Sequence, residues 1–178
     1  MAVSEPWVRA SRIMAWLSLA GAVLYLAGEI CVFVFPDITR AVGFMQMRSG
    51  DLAISSAMPL AFRLGALAID LVPAALGIWA LVSLHGLFTL YAKSEVFSAQ
   101  ALTLLNRVAV LMFWQVLAGI VAQAPESALL SWTSGHRAIS LGLGSGDATY
   151  LFMAGVVLVI ARVMGEARRV ADENASFV

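Results

Sequence analysis

Residues 13–35 read IMAWLSLAGAVLYLAGEICVFVF, and this apolar run decides the fold class. A transmembrane helix needs about 20 mostly apolar residues to cross about 30 Å of hydrocarbon, so the run is long enough to span a membrane. Arg9 and Arg12 precede it, and Pro36 with Asp37 ends it. A secretory signal peptide has a shorter apolar core of about 7–15 residues, so we expect this run to stay in the mature protein as its first span.

Three further apolar runs predict three further spans. We place these spans at about residues 64–84, 104–122 and 148–164. Asp70 and Pro73 interrupt the second span, and a proline inside a span commonly bends the helix. Ser98 and Asp147 are suitable N-caps for the helices that contain the third and fourth spans.

The composition indicates the same architecture. Hydrophobic residues make up 61% of the 178 residues and charged residues 12%, whereas soluble domains are roughly half apolar and about a quarter charged. We therefore predict an all-α membrane protein, a four-transmembrane-helix bundle in a single domain over residues 1–178, with a helical tail over 165–178. Eleven basic residues balance eleven acidic residues, so the chain lacks the overall basic character that tracks a nucleic-acid backbone, and we expect no direct nucleic-acid binding. Cys31 is the only cysteine, so no intrachain disulfide or thiolate metal cage can form.

The distribution of Lys and Arg predicts the orientation, because cytoplasmic loops carry the excess of these residues. One set of flanks and loops contains seven: Arg9, Arg12, Lys93, Arg107, Arg162, Arg168 and Arg169. The opposite loops contain four: Arg40, Arg48, Arg63 and Arg137. We therefore expect both termini in the cytoplasm and a multi-pass protein of the bacterial inner (cytoplasmic) membrane.

The two predicted outer loops are apolar. Large hydrophobic side chains recur between Phe44 and Phe62 and again between Leu129 and Leu141. Such loops either fold over the bundle as a cap or form a contact surface for another membrane protein, and we favour the cap.

Glu29 and Asp70 are ionisable residues inside predicted spans, each about 9 Å below the outer boundary. Gln115 of the third span lies at a similar predicted depth, so a layer of Glu29, Asp70 and Gln115 is a candidate ligand or ion site. A carboxylate pair of this kind binds a cation or relays protons. The alternative is structural, with the carboxyls hydrogen-bonded between helices.

No catalytic constellation is recognisable. His85 lies near the inner end of the second span and His136 lies in the second outer loop, so they do not ligate one metal. No HExxH or GxSxG motif occurs. We expect a non-enzymatic protein without a metal or cofactor.

Two stretches carry a resemblance to a known family. Residues 86–100 read GLFTLYAKSEVFSAQ, and residues 161–178 read ARVMGEARRVADENASFV. They resemble the inner-loop and closing motifs of an uncharacterised family of small bacterial four-span inner-membrane proteins. Ser94 stands where that family usually has glycine before Glu-Val-Phe, so we expect the turn there to differ in detail. Members are often encoded beside a helix-turn-helix regulator, so the resemblance implies such a regulator as a partner.

Both stretches fall on the predicted cytoplasmic side, where their charged and aromatic residues form a candidate partner-binding surface. These residues are Lys93, Glu95, Phe97, Arg168, Arg169, Asp172 and Glu173. The alternative is that loop and tail only pack on each other. We expect a protein that binds a partner through this surface and senses a signal for a transcriptional regulator. The alternatives are a small transporter, ion-binding or lipid-binding protein that uses Glu29 and Asp70, or an accessory subunit of a larger membrane complex.

Overall fold

The computed structural model describes residues 5–41, 54, 56–132, 139 and 141–175. These residues form helices and contain no strand. The helices in chain order are α1 (Glu5–Val34), α2 (Pro36–Ala41), α3 (Leu60–Ala92), α4 (Ala99–Ser131) and α5 (Ser145–Ala175). Among the described residues, four helices are long and apolar enough to cross a membrane, namely α1, α3, α4 and α5. The prediction of an all-helical chain with four span-length helices is therefore confirmed.

Local chemistry sets several helix ends. Ser98 caps α4 as predicted, because its Oγ accepts a hydrogen bond from the amide of Ala101 at 3.1 Å. Asp147 is not the predicted N-cap, since α5 already begins at Ser145. Its Oδ2 instead accepts from the amide of Gly144 at 2.8 Å, so the carboxylate supports the first turn from inside it.

The long helices extend further than the hydropathy indicates. Pro73 lies inside α3 and Pro125 inside α4, and both helices continue past them. Leu129 and Leu130, predicted in the second outer loop, therefore belong to α4. That prediction was wrong because Glu126 and Pro125 weaken the apolar pattern without ending the helix.

The helices pack in chain order, with α1 on α3, α3 on α4 and α4 on α5. Among the described residues no comparably close contact joins α1 to α5. The four helices therefore form an open row, whereas the predicted bundle would close α5 against α1.

Two polar contacts fix the alignment of α1 with α3. His85 Nδ1 donates to the carbonyl oxygen of Ala15, 2.9 Å away. At the other end of the same pair, Arg63 Nη1 donates to the carbonyl of Val34 at 3.2 Å. The two helices are thus antiparallel along their whole length. We call the end near Ala15 and His85 the terminal end, and the end near Val34 and Arg63 the distal end.

Two further contacts fix the alignment of α4 with α5. Arg168 Nη1 donates to the carbonyl of Phe97 at 2.7 Å at the terminal end. The amide of Gly142 donates to Gln123 Oε1 at 2.9 Å near the start of α5. The described parts of both chain termini therefore lie at the terminal end. Since α4 continues eight residues past Gln123, it projects about 12 Å beyond the level of Gly142 at the distal end.

Close packing between α3 and α4 depends on small residues. A Cβ atom on Gly65 would lie 2.9 Å from Leu129 Cδ2, and one on Gly86 would lie 3.3 Å from Leu104 Cδ1. Membrane helices commonly approach each other through such residues, since lipid offers no hydrophobic drive for association. Two apolar clusters lie at the two ends of the packed helices. The distal cluster contains Val32, Phe33, Ile54, Ala66 and Leu130, and the terminal cluster contains Leu87, Leu90 and Ala101.

Part of the first predicted outer loop contributes to the distal cluster. Ile54 is buried in it, and Met58 packs against it partly buried. Residues 42–53 of the predicted cap lie outside the described residues, as do His136 and Arg137 of the second loop. The cap as a whole therefore stays a prediction.

Candidate functional site

The loop between α3 and α4 begins with a tight helix ending. Lys93 is the C-cap of α3, and Ser94 follows it with a φ of 67°. The amide of Glu95 donates to the carbonyl of Leu90 at 3.0 Å, and the amide of Ser94 donates to that of Tyr91 at 3.0 Å. These two bonds form a Schellman motif, whose left-handed position is usually glycine. Ser94 adopts this turn in place of the glycine that usually holds such a position.

The loop is anchored at its other end as well. The amide of Ser98 donates to the carbonyl of Glu95 at 3.3 Å, and Ser98 then caps α4. Between these anchors the side chain of Phe97 remains 62% exposed. The loop is thus short and fixed by hydrogen bonds at both ends, and it presents an aromatic ring outward.

The C-terminal helix contacts this loop directly. The half-buried Arg168 on α5 donates through Nη1 to the carbonyl of Phe97 at 2.7 Å. The sequence alone gave no indication of this bond, because a backbone carbonyl carries no residue-specific signal. The structure therefore brings together the two stretches over which the sequence resembles the family.

The tail beside Arg168 is charged and exposed. Arg169 Nε donates to Glu166 Oε2 at 3.2 Å, and Arg169 Nη1 lies 3.4 Å from Glu173 Oε1. Exposed ion pairs of this kind add little stability, so these side chains remain available to a partner. The side chain of Asp172, also predicted at this surface, lies outside the described side chains. We call the set Lys93, Glu95, Phe97, Arg168, Arg169 and Glu173 the terminal surface.

The predicted carboxylates, on α1 and α3, are buried at one height along the helices. Glu29 is 4% exposed and Asp70 is 2% exposed. The bond from His85 to Ala15 provides the reference height. Glu29 lies 14 residues beyond Ala15 along α1, and Asp70 lies 15 residues before His85 along the antiparallel α3. The structure therefore buries both carboxylates level with each other, toward the distal end.

Gln115 lies nearer the terminal end than Glu29 and Asp70 do. Its Nε2 donates to Tyr25 Oη at 3.4 Å, which links α4 to α1. Its side chain also rests on Gly77, where a Cβ atom would lie 2.7 Å from Nε2. Gly77 is seven residues from Asp70, about two helical turns toward the terminal end. Gln115 thus joins three helices at a separate level from the carboxylates.

The described residues contain no group of three His, Cys, Asp or Glu side chains arranged to hold a metal ion. Cys31 is exposed on α1, and His85 is engaged with the carbonyl of Ala15.

Four long apolar helices packed in antiparallel order define a multi-pass α-helical membrane protein. A family model described as "Protein of unknown function (DUF2975)" matches residues 14–178, so the chain belongs to this family. The match includes both stretches on which the resemblance rests and confirms that the family is uncharacterised. No curated protein and no solved structure matches the chain.

Proposed function

We propose that this protein is a non-enzymatic component of the bacterial inner membrane, that its terminal end faces the cytoplasm, and that it binds a soluble protein through the terminal surface. The observation that carries the proposal is the bond from Arg168 to the Phe97 carbonyl beside an exposed Phe97 ring. The positive-inside distribution of Lys and Arg supports the orientation.

The position of Phe97 favours binding over simple closure of the helix row. If loop and tail only packed together, we would expect the large apolar side chain of Phe97 to be buried between them. Instead Arg168 holds the backbone of Phe97 while the ring remains 62% exposed. Aromatic residues held rigidly on a surface are frequent binding hot spots, because little conformational entropy remains to be lost.

The charged residues of the terminal surface favour a protein partner. Lys93 and Glu95 on the loop, with Arg169 and Glu173 on the tail, alternate in sign. A mixed rim around an apolar anchor is typical of protein interfaces. The family resemblance suggests a helix-turn-helix regulator, whose release or retention at the membrane would transmit a signal.

The proposal is tested by placing a photo-crosslinking phenylalanine analogue at position 97 in cells. The matched control is position 152, an exposed phenylalanine in the apolar part of α5. We expect one soluble protein to be captured at position 97 and not at position 152. Once that protein is purified, Phe97→Ala should raise the Kd of its complex about thirtyfold, which is the effect of losing a hot-spot residue. Absence of a specific adduct, or an unchanged Kd, contradicts the proposal.

The orientation is tested separately. In a Cys31→Ser background, Ala99→Cys places a thiol at the exposed start of α4. A membrane-impermeant maleimide should label it only after the inner membrane is permeabilised. Labelling of intact spheroplasts would place the terminal end outside the cell.

A second candidate function, binding or transport of a small cation, is favoured by the burial of Glu29 and Asp70 at one height. Ionisable groups inside membrane spans are costly and often mark an ion pathway. Glu29→Gln with Asp70→Asn should abolish cation-dependent proton release from the purified protein in liposomes while leaving the helix content unchanged. If the double variant behaves like the parent protein, the carboxylates are structural.

A further inference from the structure

A line of polar side chains runs along the interface between α1 and α3. On α1 it consists of Ser11, Ser18 and Glu29, all buried, and the partly buried Tyr25. These residues recur at intervals of seven and four, so they share one face of the helix. Among the described residues α1 packs closely only on α3 and the short α2, so this buried face lies against α3.

His85 of α3 fills the gap between the two serines. Its Nδ1 donates to the carbonyl of Ala15 at 2.9 Å, and Ala15 lies between Ser11 and Ser18 along α1. In the neutral ring Nε2 is then the nitrogen that accepts a proton, and histidine is a common proton shuttle. The hydroxyl of Ser18 donates to the carbonyl of Met14 at 2.8 Å, and its oxygen can accept as well.

Gln115 of α4 continues the line toward the carboxylates. Its amide reaches past Gly77 and donates to Tyr25 Oη at 3.4 Å. Glu29 lies one helical turn beyond Tyr25, level with Asp70 of α3. Successive polar groups are at most about 8 Å apart in height, a step that a long side chain or one bridging water covers. We call this line the polar seam; its members are Ser11, His85, Ser18, Gln115, Tyr25, Glu29 and Asp70.

Arg63 lies on the distal side of the carboxylates at the same interface. Its Nη1 donates to the carbonyls of Phe33 and Val34 on α1, at 3.4 and 3.2 Å. Asp70 follows Arg63 by seven residues, so both lie on the face of α3 that meets α1. A guanidinium at this place repels protons and other cations that approach from the distal side, as arginines do in selective pores. Exchange with the terminal end is thereby favoured.

We propose that the polar seam is a proton path that connects Glu29 and Asp70 with the terminal end. The inference rests on the second candidate function, cation binding by these carboxylates, and names the cation as the proton. Hydroxyl, imidazole and carboxyl groups relay protons within membrane spans. Each group accepts a proton on one side and releases one on the other, so no co-reactant is consumed. A hydrated metal ion needs an open channel, whereas a proton passes between hydrogen-bonded groups one step at a time.

Ser83 provides a matched control for the alternative that serines only allow the helices to pack closely. It is a buried serine of α3, two residues from His85 and therefore at nearly the same height as Ser18. Gly86, three residues further on, contacts α4, because an added Cβ atom would lie 3.3 Å from Leu104 Cδ1. Ser83 shares that face and lies off the polar seam. Ser18→Ala and Ser83→Ala thus remove the same buried group on and off the proposed path.

The experiment follows hydrogen–deuterium exchange of the Glu29 and Asp70 carboxyls by infrared spectroscopy of the full chain in detergent. The protein is mixed with D₂O at a pH at which the C=O band of protonated carboxyls is present, and the rate of its isotope shift is measured. Glu29→Gln with Asp70→Asn assigns the band. Glu126→Gln removes a half-buried carboxyl of α4 near the same height and should leave the band unchanged.

We expect Ser18→Ala to slow the exchange about tenfold, which is the effect of losing one hydrogen-bond partner of a buried charge. Ser83→Ala should exchange like the parent protein. Arg63→Gln in the Ser18→Ala background should restore fast exchange by opening the distal side. Circular dichroism confirms that each variant is folded, and the two serine variants decide the matter if the Arg63 variant is not.

Equal rates in the parent protein and Ser18→Ala overturn the path, as does equal slowing by Ser18→Ala and Ser83→Ala. A folded Arg63→Gln, Ser18→Ala variant that stays slow overturns the closure of the distal side. A parent protein without a band assignable to Glu29 and Asp70 also overturns the path. The second candidate function fails separately, if the double carboxylate variant releases protons like the parent.

Discussion

Replacing Ser94 by glycine should stabilise the protein, because Ser94 holds a φ of 67° at the end of α3. At this angle the Cβ atom of an L residue crowds its own backbone, whereas glycine has no Cβ atom. Both hydrogen bonds of the turn are made by backbone groups, from the amides of Ser94 and Glu95. Glycine can therefore keep the turn while removing its strain.

The expected magnitude follows from two opposing contributions. The left-handed conformation costs a residue with a side chain about 1–2 kcal/mol. Glycine also loses more backbone entropy on folding, and this offsets about 0.5–1 kcal/mol of the stabilisation. The net stabilisation is then centred on about 0.75 kcal/mol, or about three- to fourfold in the folding equilibrium constant.

The assay is reversible unfolding of the full chain in mixed micelles, with the SDS fraction increased and the helix content followed by circular dichroism. Ser94→Ala is the matched control, because alanine keeps the Cβ atom and removes the hydroxyl group. We expect the glycine variant to unfold at a higher SDS fraction than the parent protein and the alanine variant to show no gain. Equal stabilisation by alanine and glycine would refute the reasoning, as would a glycine variant no more stable than the parent.

Two further substitutions test the helix packing and the cap in the same assay. Gly77→Ala should destabilise by about 1 kcal/mol, because the new Cβ atom would lie 2.7 Å from Gln115 Nε2 and would move that amide away from Tyr25 Oη. Gly21→Ala, which meets no atom within 4 Å, should not destabilise, and equal losses would contradict the packing argument. Ser98→Ala should cost about 1 kcal/mol through loss of the N-cap. Thr103→Ala removes an exposed hydroxyl that bonds only within its own helix, so a matching loss there would argue against the cap.

Features that depend only on residues close together in the chain could be predicted from the sequence. The run at 13–35 is long enough to identify a span without reference to the rest of the chain. Ser98 precedes a helix and offers an oxygen to its first amides, so the cap was predictable from type and position. The unusual serine at position 94 was visible against the family pattern, although its φ was not.

Features that depend on how helices align could not be predicted. Gln115 appeared level with Glu29 and Asp70 because depth was counted from assumed span boundaries. In the structure Gln115 meets Tyr25 and Gly77 instead, since α4 continues to Ser131, well past the predicted end of the third span. The bond from an arginine side chain to a backbone carbonyl at the terminal surface was equally invisible in the sequence.

The peripheral position of α5 has a consequence for how the molecule opens. Only 11% of the most apolar stretch of α5 is buried, against 33% of that of α3, and among the described residues α5 packs closely only on α4. Helices with few buried contacts separate from a domain at lower free energy than its global unfolding. We therefore expect amides of α5 to exchange with deuterium faster than those of α3 in detergent, and equal protection would argue against this.

Detachment of α5 would also have a local effect at its C-terminal end. The guanidinium of Arg168 would leave the carbonyl of Phe97, so the loop would lose the contact that connects it to the tail. Since α5 has the smallest buried share of the four span-length helices, we expect a change of lateral pressure or thickness in the bilayer to act on it first. Movement of α5 in response to the lipid would then change the conformation of the loop between α3 and α4.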